Sequence, residues 1–124
     1  MRSKGLQIGN ILKDKLTGAR LVVIGLSENE VQTRVIDPDK FSLPEGWEAE
    51  SIPLTPEILV QTVFAKDGTD PVSELDKYEY EGIILLADEA GFLFIHGEAV
   101  TIIYSVDELQ NLFFALMGRE LKFQ

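Results

Sequence analysis

The segment from Ser105 to Gly118 carries a start signal, an apolar stripe and a stop signal for one helix, and no other stretch restricts the fold as much. Ser105 followed by Glu108 fits a capping box, in which each side chain satisfies a backbone N–H of the first turn that has no helical partner. Gly118 fits the residue just past a helix, where a left-handed conformation is wanted and a Cβ is penalised. Between them Leu109, Leu112, Phe113 and Leu116 recur at i, i+3, i+4 and i+7, one helical face. A helix with a single apolar face has to lie on something apolar, and the upstream strand patterns supply it.

Residues 6–13, 19–26 and 30–36 read as three strands joined by polar turns at 14–18 and 27–29, with Val31, Thr33 and Val35 on one side of the third. Such short connections predict antiparallel pairing. Asp37-Pro38 breaks the series, since proline cannot donate to a ladder, and residues 41–46 continue as loop with a turn at Pro44-Glu45-Gly46. A further short strand is expected over 47–53. Residues 55–62 predict a short helix: Thr55 caps it, Pro56 takes the first helical position and Glu57 faces the positive end of the dipole, with Leu54, Ile58 and Leu59 docking it. Residues 65–76 read as a polar loop, the natural place for a mobile segment or a lobe boundary. Strands are then expected over 78–87, 91–96 and 99–104, and Leu121 and Phe123 alternate with charge as a short final strand would. The expected class is therefore α+β: an N-terminal antiparallel, SH3-like or barrel-like β lobe over 1–53, then a short helix, a C-terminal β-meander and one capped helix over 54–124. Phe92, Phe94 and Ile95 with Val100, Ile102 and Ile103 leave little polar character on either face of the last hairpin. One face must pack on the terminal helix, and the other must meet the first lobe or a second copy of the chain.

A chain of 124 residues, 45% hydrophobic, suffices for one ordinary domain. It has no cysteine, so disulfides, thiolate nucleophiles and Cys-based zinc sites are excluded. Its apolar runs are strand-length, too short for a bilayer-spanning helix, and the start lacks the apolar core of a signal peptide. A cytoplasmic location is the expectation. The formal charge is −10, with 7 basic and 9 acidic residues in 1–62 against 4 and 12 in 63–124. That balance opposes phosphate backbones and anionic membranes, because such binding needs cations to displace counterions. It fits a self-repelling soluble surface, or an acidic face that meets a basic partner.

The chemistry-bearing residues are sparse. His96 is the sole histidine and falls at a hairpin turn, without the partners a triad or a histidine metal site needs. Asp67, Asp70, Glu74 and Asp76 fail the EF-hand spacing, since the position-5 residue counted from Asp67 is Pro71 and the glycine comes too early. The carboxylate pairs Asp88/Glu89, Asp107/Glu108 and Glu79/Glu81 fall at a turn, a helix cap and strand edges, where water solvates them. No glycine pattern for a phosphate cradle occurs, so no cofactor is expected. Gln110 projects between Phe114 and Met117 into an apolar arc, where its amide needs partners: a backbone edge, or a ligand in a groove. Trp47, the sole tryptophan, is either a core plug or a contact residue on the barrel face, and Tyr78, Tyr80 and Tyr104 extend either role.

Three fragments in order, Ile8-Gly-Asn10, Ile52-Pro-Leu-Thr-Pro-Glu-Ile-Leu59 ahead of Phe64-x-Lys66, and Val106-x-Glu-Leu-Gln-Asn-Leu-Phe-Phe-Ala-Leu-x-Gly-x-Glu-Leu121, resemble small uncharacterised proteins of bacterial genomes and prophages. In those proteins a barrel-like N-terminal part precedes an "IPLT-E-IL" helix and an "LQNLYFALTG-x-EL" terminus. Position 107 is aspartate here where the family often has histidine, so a role for that histidine does not transfer. The resemblance implies a shared fold and a phage-related setting, and brings no activity. The expected function is a non-enzymatic protein-interaction module that offers the barrel face around Trp47 or a sheet edge, with Trp47, Gln110, Tyr78 and Tyr80 as contact residues and a protein partner or self-association as its target. Neither direct nucleic-acid binding nor membrane binding is expected. The alternatives are an acidic inhibitor or nucleic-acid mimic, and a small carboxylate-dependent hydrolase.

Overall fold

The computed structural model describes residues 6–15, 17–27, 31–36 and 48–123, which form a mixed α+β protein of two antiparallel sheets and a C-terminal helix. The first sheet has β1 (Ile11–Asp14), β2 (Arg20–Leu26), β3 (Val31–Val35) and β4 (Ala49–Ser51) in the order β3-β2-β1-β4. It is open, and among the described residues no sheet closes into a barrel. Leu6, Leu12, Leu21 and Val23 make a small core beneath it, with Val31 and Val35 packed alongside as the alternation in the third strand predicts. Residues 28 and 29 of the turn expected at 27–29, Glu30 of the third strand expected, the break at 37–40, the loop at 41–46 and Trp47 lie outside the described residues.

Helix α1 (Pro56–Leu59) is shorter than its sequence signal but starts where expected: the Thr55 hydroxyl accepts from the Ile58 N–H and proline opens the first turn. Leu54 and Leu59 are buried and Ile58 is half-buried.

The second sheet has five strands in sequence order, β5 (Ala65–Thr69), β6 (Asp76–Tyr80), β7 (Ile83–Ala87), β8 (Phe92–His96) and β9 (Ala99–Ile103). Two features differ from the sequence expectation. The polar segment expected as a loop contains β5, an edge strand that pairs with β6 and buries none of its side chains, so no hydrophobic alternation marks it. The run 78–87 is two strands rather than one, folded back at Glu81-Gly82, where both residues have positive φ (44° and 87°) as a tight primed hairpin turn requires.

Helix α2 (Val106–Met117) covers the inner face of this sheet. Ser105 caps it and Gly118 ends it at φ 70°, its N–H donating to the Phe114 carbonyl. The box is offset by one residue: Glu108 Oε1 accepts from Ser105 Oγ (3.0 Å) and from the Tyr104 N–H (3.2 Å). Val106, Leu109 and Phe113 are buried against Tyr78, Ile83, Leu85, Phe92, Phe94 and Ile103. Leu116, expected on the buried face, is exposed (42%); Leu121, beyond the cap, is buried in this core instead. Residues 119–123 form no strand, so the expected final pairing is absent.

Candidate functional site

Two places gather side chains outside the two core clusters: a cleft between the first sheet and α2, and the outer face of the second sheet.

The cleft begins with the loop ahead of β1. The Asn10 side chain is buried, and its Oδ1 accepts from the Gln7 N–H (2.7 Å) while its Nδ2 donates to Asn111 Oδ1 (2.8 Å). Gln110, on α2, reaches the same loop with both ends of its amide: Oε1 accepts from the Ile11 N–H (2.8 Å) and Nε2 donates to the Gly9 carbonyl (3.1 Å). The sequence requirement that this amide find a backbone edge is met at the start of β1. Beside the clasp lies an open cleft of about 470 Å³, whose walls include Ile8, Arg34, Phe114 and Glu120 as well as Gln110. That volume suits a small ligand. The amides, however, are spent on one another and on backbone, which makes their arrangement a structural tie between α2 and the start of the first sheet.

The outer sheet face is set by register. Leu86, Leu93 and Ile102 are directly opposite one another across β7, β8 and β9, as are Ile84, Ile95 and Val100. These six alternate with the core-facing residues and none belongs to either core cluster, but Leu86 is buried and Ile84, Leu93 and Ile95 are half-buried, so the open part of this face lies on β9. Val100 and Ile102 are 61% and 50% exposed. On the β6 side the patch ends at Lys77 and Glu79, which pair at 3.6 Å.

The two edges of this sheet are unlike. β5 carries Lys66 and Asp67, pairs them with Asp76 (3.6 Å) and Lys77 (3.5 Å), and has a register shift between Lys66 and Thr69 around Gly68, at φ 68°. Charges and irregularity of this kind keep another strand from docking. β9 is Ala-Val-Thr-Ile-Ile, with no charge, proline or bulge. Its last neighbour, Tyr104, turns its backbone away from β8: the carbonyl accepts from the Leu54 N–H (2.9 Å) and the N–H is taken by Glu108. By the alternation of an antiparallel ladder, Val100 and Ile102 point their N–H and C=O groups the same way. Among the described residues nothing bonds to them there.

The other candidates fall elsewhere. Tyr78 is 3% exposed in the core, edge-on to Phe92. Tyr80 is half-buried against Phe64 and Phe113, and its hydroxyl accepts from Arg119, which also pairs with Glu81 (3.2 Å). These two acceptors raise the Arg119 pKa above its ordinary value. Tyr78 and Tyr80 sit near each other on β6, while Gln110 belongs to the clasp and Trp47 lies outside the described residues. His96 is exposed at the end of β8. Asp70 accepts from the Ser73 N–H and hydroxyl (both 2.8 Å), and these bonds hold its carboxyl below the usual aspartate value. Asp107 is buried in the first turn of α2, with Oδ1 unpartnered. Among the described residues no three acidic or histidine side chains gather as a metal ion would need, and no helix is long and apolar enough to cross a membrane.

The β9 edge was partly legible, since the sequence shows a hairpin apolar on both faces. Which edge is open was hidden, because β5 was not recognisable as the strand at the other side. No family model, curated protein or solved structure matches the chain.

Proposed function

We propose that this protein is a non-enzymatic interaction module that docks a protein strand on the open edge of β9, with the aliphatic outer face of β8 and β9 as the adjoining contact surface. The observation that carries this reading is the contrast between the two edges: one is guarded by charge, ion pairs and a bulge, and the other presents the unbonded backbone groups of exposed Val100 and Ile102. Strand addition draws affinity from main-chain hydrogen bonds and specificity from alternate side chains, and β9 offers both. Of the contact surfaces expected from sequence, a barrel face around Trp47 or a sheet edge, the edge is the one with described geometry behind it.

The test is a comparison of proteins retained from native cell lysate, after nuclease treatment, by the wild type and by a Val100→Lys/Ile102→Lys variant. A partner held by the wild type, lost by this variant and kept by Gln110→Ala supports the reading. Identical retention by all three refutes it.

A further inference from the structure

We infer that the strand received by β9 is β9 of a second copy, paired antiparallel about a two-fold axis through Thr101. This rests on the interaction reading and names its partner. An antiparallel strand pair is self-complementary under two-fold symmetry, so a dimer needs only an edge that tolerates its own sequence. With Thr101 on the axis, Val100 of one copy faces Ile102 of the other, twice, and Ala99 faces Ile103. Every pair is uncharged, and Val100 and Ile102 are the two most exposed aliphatics of the patch.

The backbone geometry agrees. Val100 and Ile102 carry the outward N–H and C=O groups, so the two Val100–Ile102 pairs take the hydrogen-bonded positions of the new ladder. Thr101 then takes the non-bonded position, where Cα atoms approach to about 4.5 Å and a small β-branched residue fits. Pairing stops where Leu54 already occupies the edge beside Tyr104. The outer faces of the two sheets join into one aliphatic band across the axis.

Two consequences give the dimer a signature. A five-residue edge buries less than a standard interface, so dissociation constants on the order of 10–100 µM are expected. Each copy carries a formal charge of −10 but none on β9 itself, so the long-range force is repulsive while the contact is neutral. Association should therefore strengthen with salt, the reverse of an interface held by ion pairs.

The experiment is sedimentation velocity across a concentration series at low and high salt, together with single-cysteine cross-linking in a chain that has no native cysteine. Thr101→Cys is oxidised with oxidised glutathione beside a control, Val72→Cys, at an exposed position outside the strands. The expected results are a dimer promoted by salt, weakened about tenfold or more in Ile102→Lys, and a disulfide-linked dimer formed faster by Thr101→Cys than by Val72→Cys. A monomer at every concentration and salt, or equal cross-linking of the two variants, overturns self-pairing. The lysate comparison then decides separately whether the edge serves another protein.

Discussion

Replacing Gln110 by alanine removes its hydrogen bonds to the Ile11 N–H and the Gly9 carbonyl and leaves those two backbone groups without partners, while the Asn10–Asn111 bond between α2 and this loop stays. An orphaned backbone group costs about 1–3 kcal/mol when sealed from water. Gln110 is half-buried and borders an open cleft, so water can reach the vacated positions and the lower end applies. The two losses together come to about 2 kcal/mol, or roughly 6–12 °C in Tm for a domain of this size. Urea unfolding followed by far-UV circular dichroism reads this as a lower midpoint at unchanged m. Gln110→Glu sharpens the test. Its carboxylate can still accept from Ile11 but repels the Gly9 carbonyl, to which only the protonated form can donate. The folded state therefore raises the introduced carboxyl's pKa above its unfolded value, and the deficit against wild type should shrink as pH falls through that raised value. A loss below about 0.5 kcal/mol for Gln110→Ala, within the range of an ordinary surface substitution, would refute the clasp.

Gly91→Ala would place a Cβ 2.6 Å from the Ile103 carbonyl oxygen and 2.8 Å from the Tyr104 ring, so β9 must shift away from β8; a loss of about 1–3 kcal/mol in urea unfolding is expected. Ser105→Ala removes the cap of α2 and one of the bonds holding Glu108, for about 1 kcal/mol by the same assay. The Asp70 carboxyl, lowered by Ser73, contributes stability that is present above its unfolded value and is lost as pH falls through that value toward the depressed one. In an NMR titration Asp70 should ionise below the ordinary aspartate range, and Ser73→Ala should move it back up.

The legible parts of this fold are those where one residue answers one local need. Ser105, Gly118, Thr55 and Pro56 solve the problem of unpaired groups at helix ends, and the structure places both helices on those signals. Gln110 could be flagged because an amide among apolar positions must be satisfied somewhere. Its partners, Gly9 and Ile11, are a hundred positions away and follow only from tertiary packing. β5 was illegible because an edge strand with all side chains in water has no need of alternation. The β6–β7 turn was hidden for a different reason: Glu81 occupies a left-handed position usually filled by Asn or Asp, and it interrupts a run with the composition of one long strand. Leu116 matched the helical period, but the core-facing side of the helix runs on from Phe113 to Met117 instead, and Leu121 beyond the cap is buried in the same core.

Whether the outer face of the second sheet belongs to the fold or to a partner can be separated by substitution on its two sides. Phe94 and Val100 occupy neighbouring strands, but Phe94 faces the core and Val100 faces out. Val100→Thr with Ile102→Thr keeps β-branched side chains and so the local strand preference, and removes apolar contact from positions at least half exposed. Monomer stability should change by no more than about 0.5 kcal/mol, measured at protein concentrations well below any association. Phe94→Ala, which empties a core position, should cost about 3–5 kcal/mol. If the outer pair destabilised the monomer as much as the core substitution, those side chains would already be covered within one chain. No surface would then remain for β9 to offer, and the edge would be part of the scaffold.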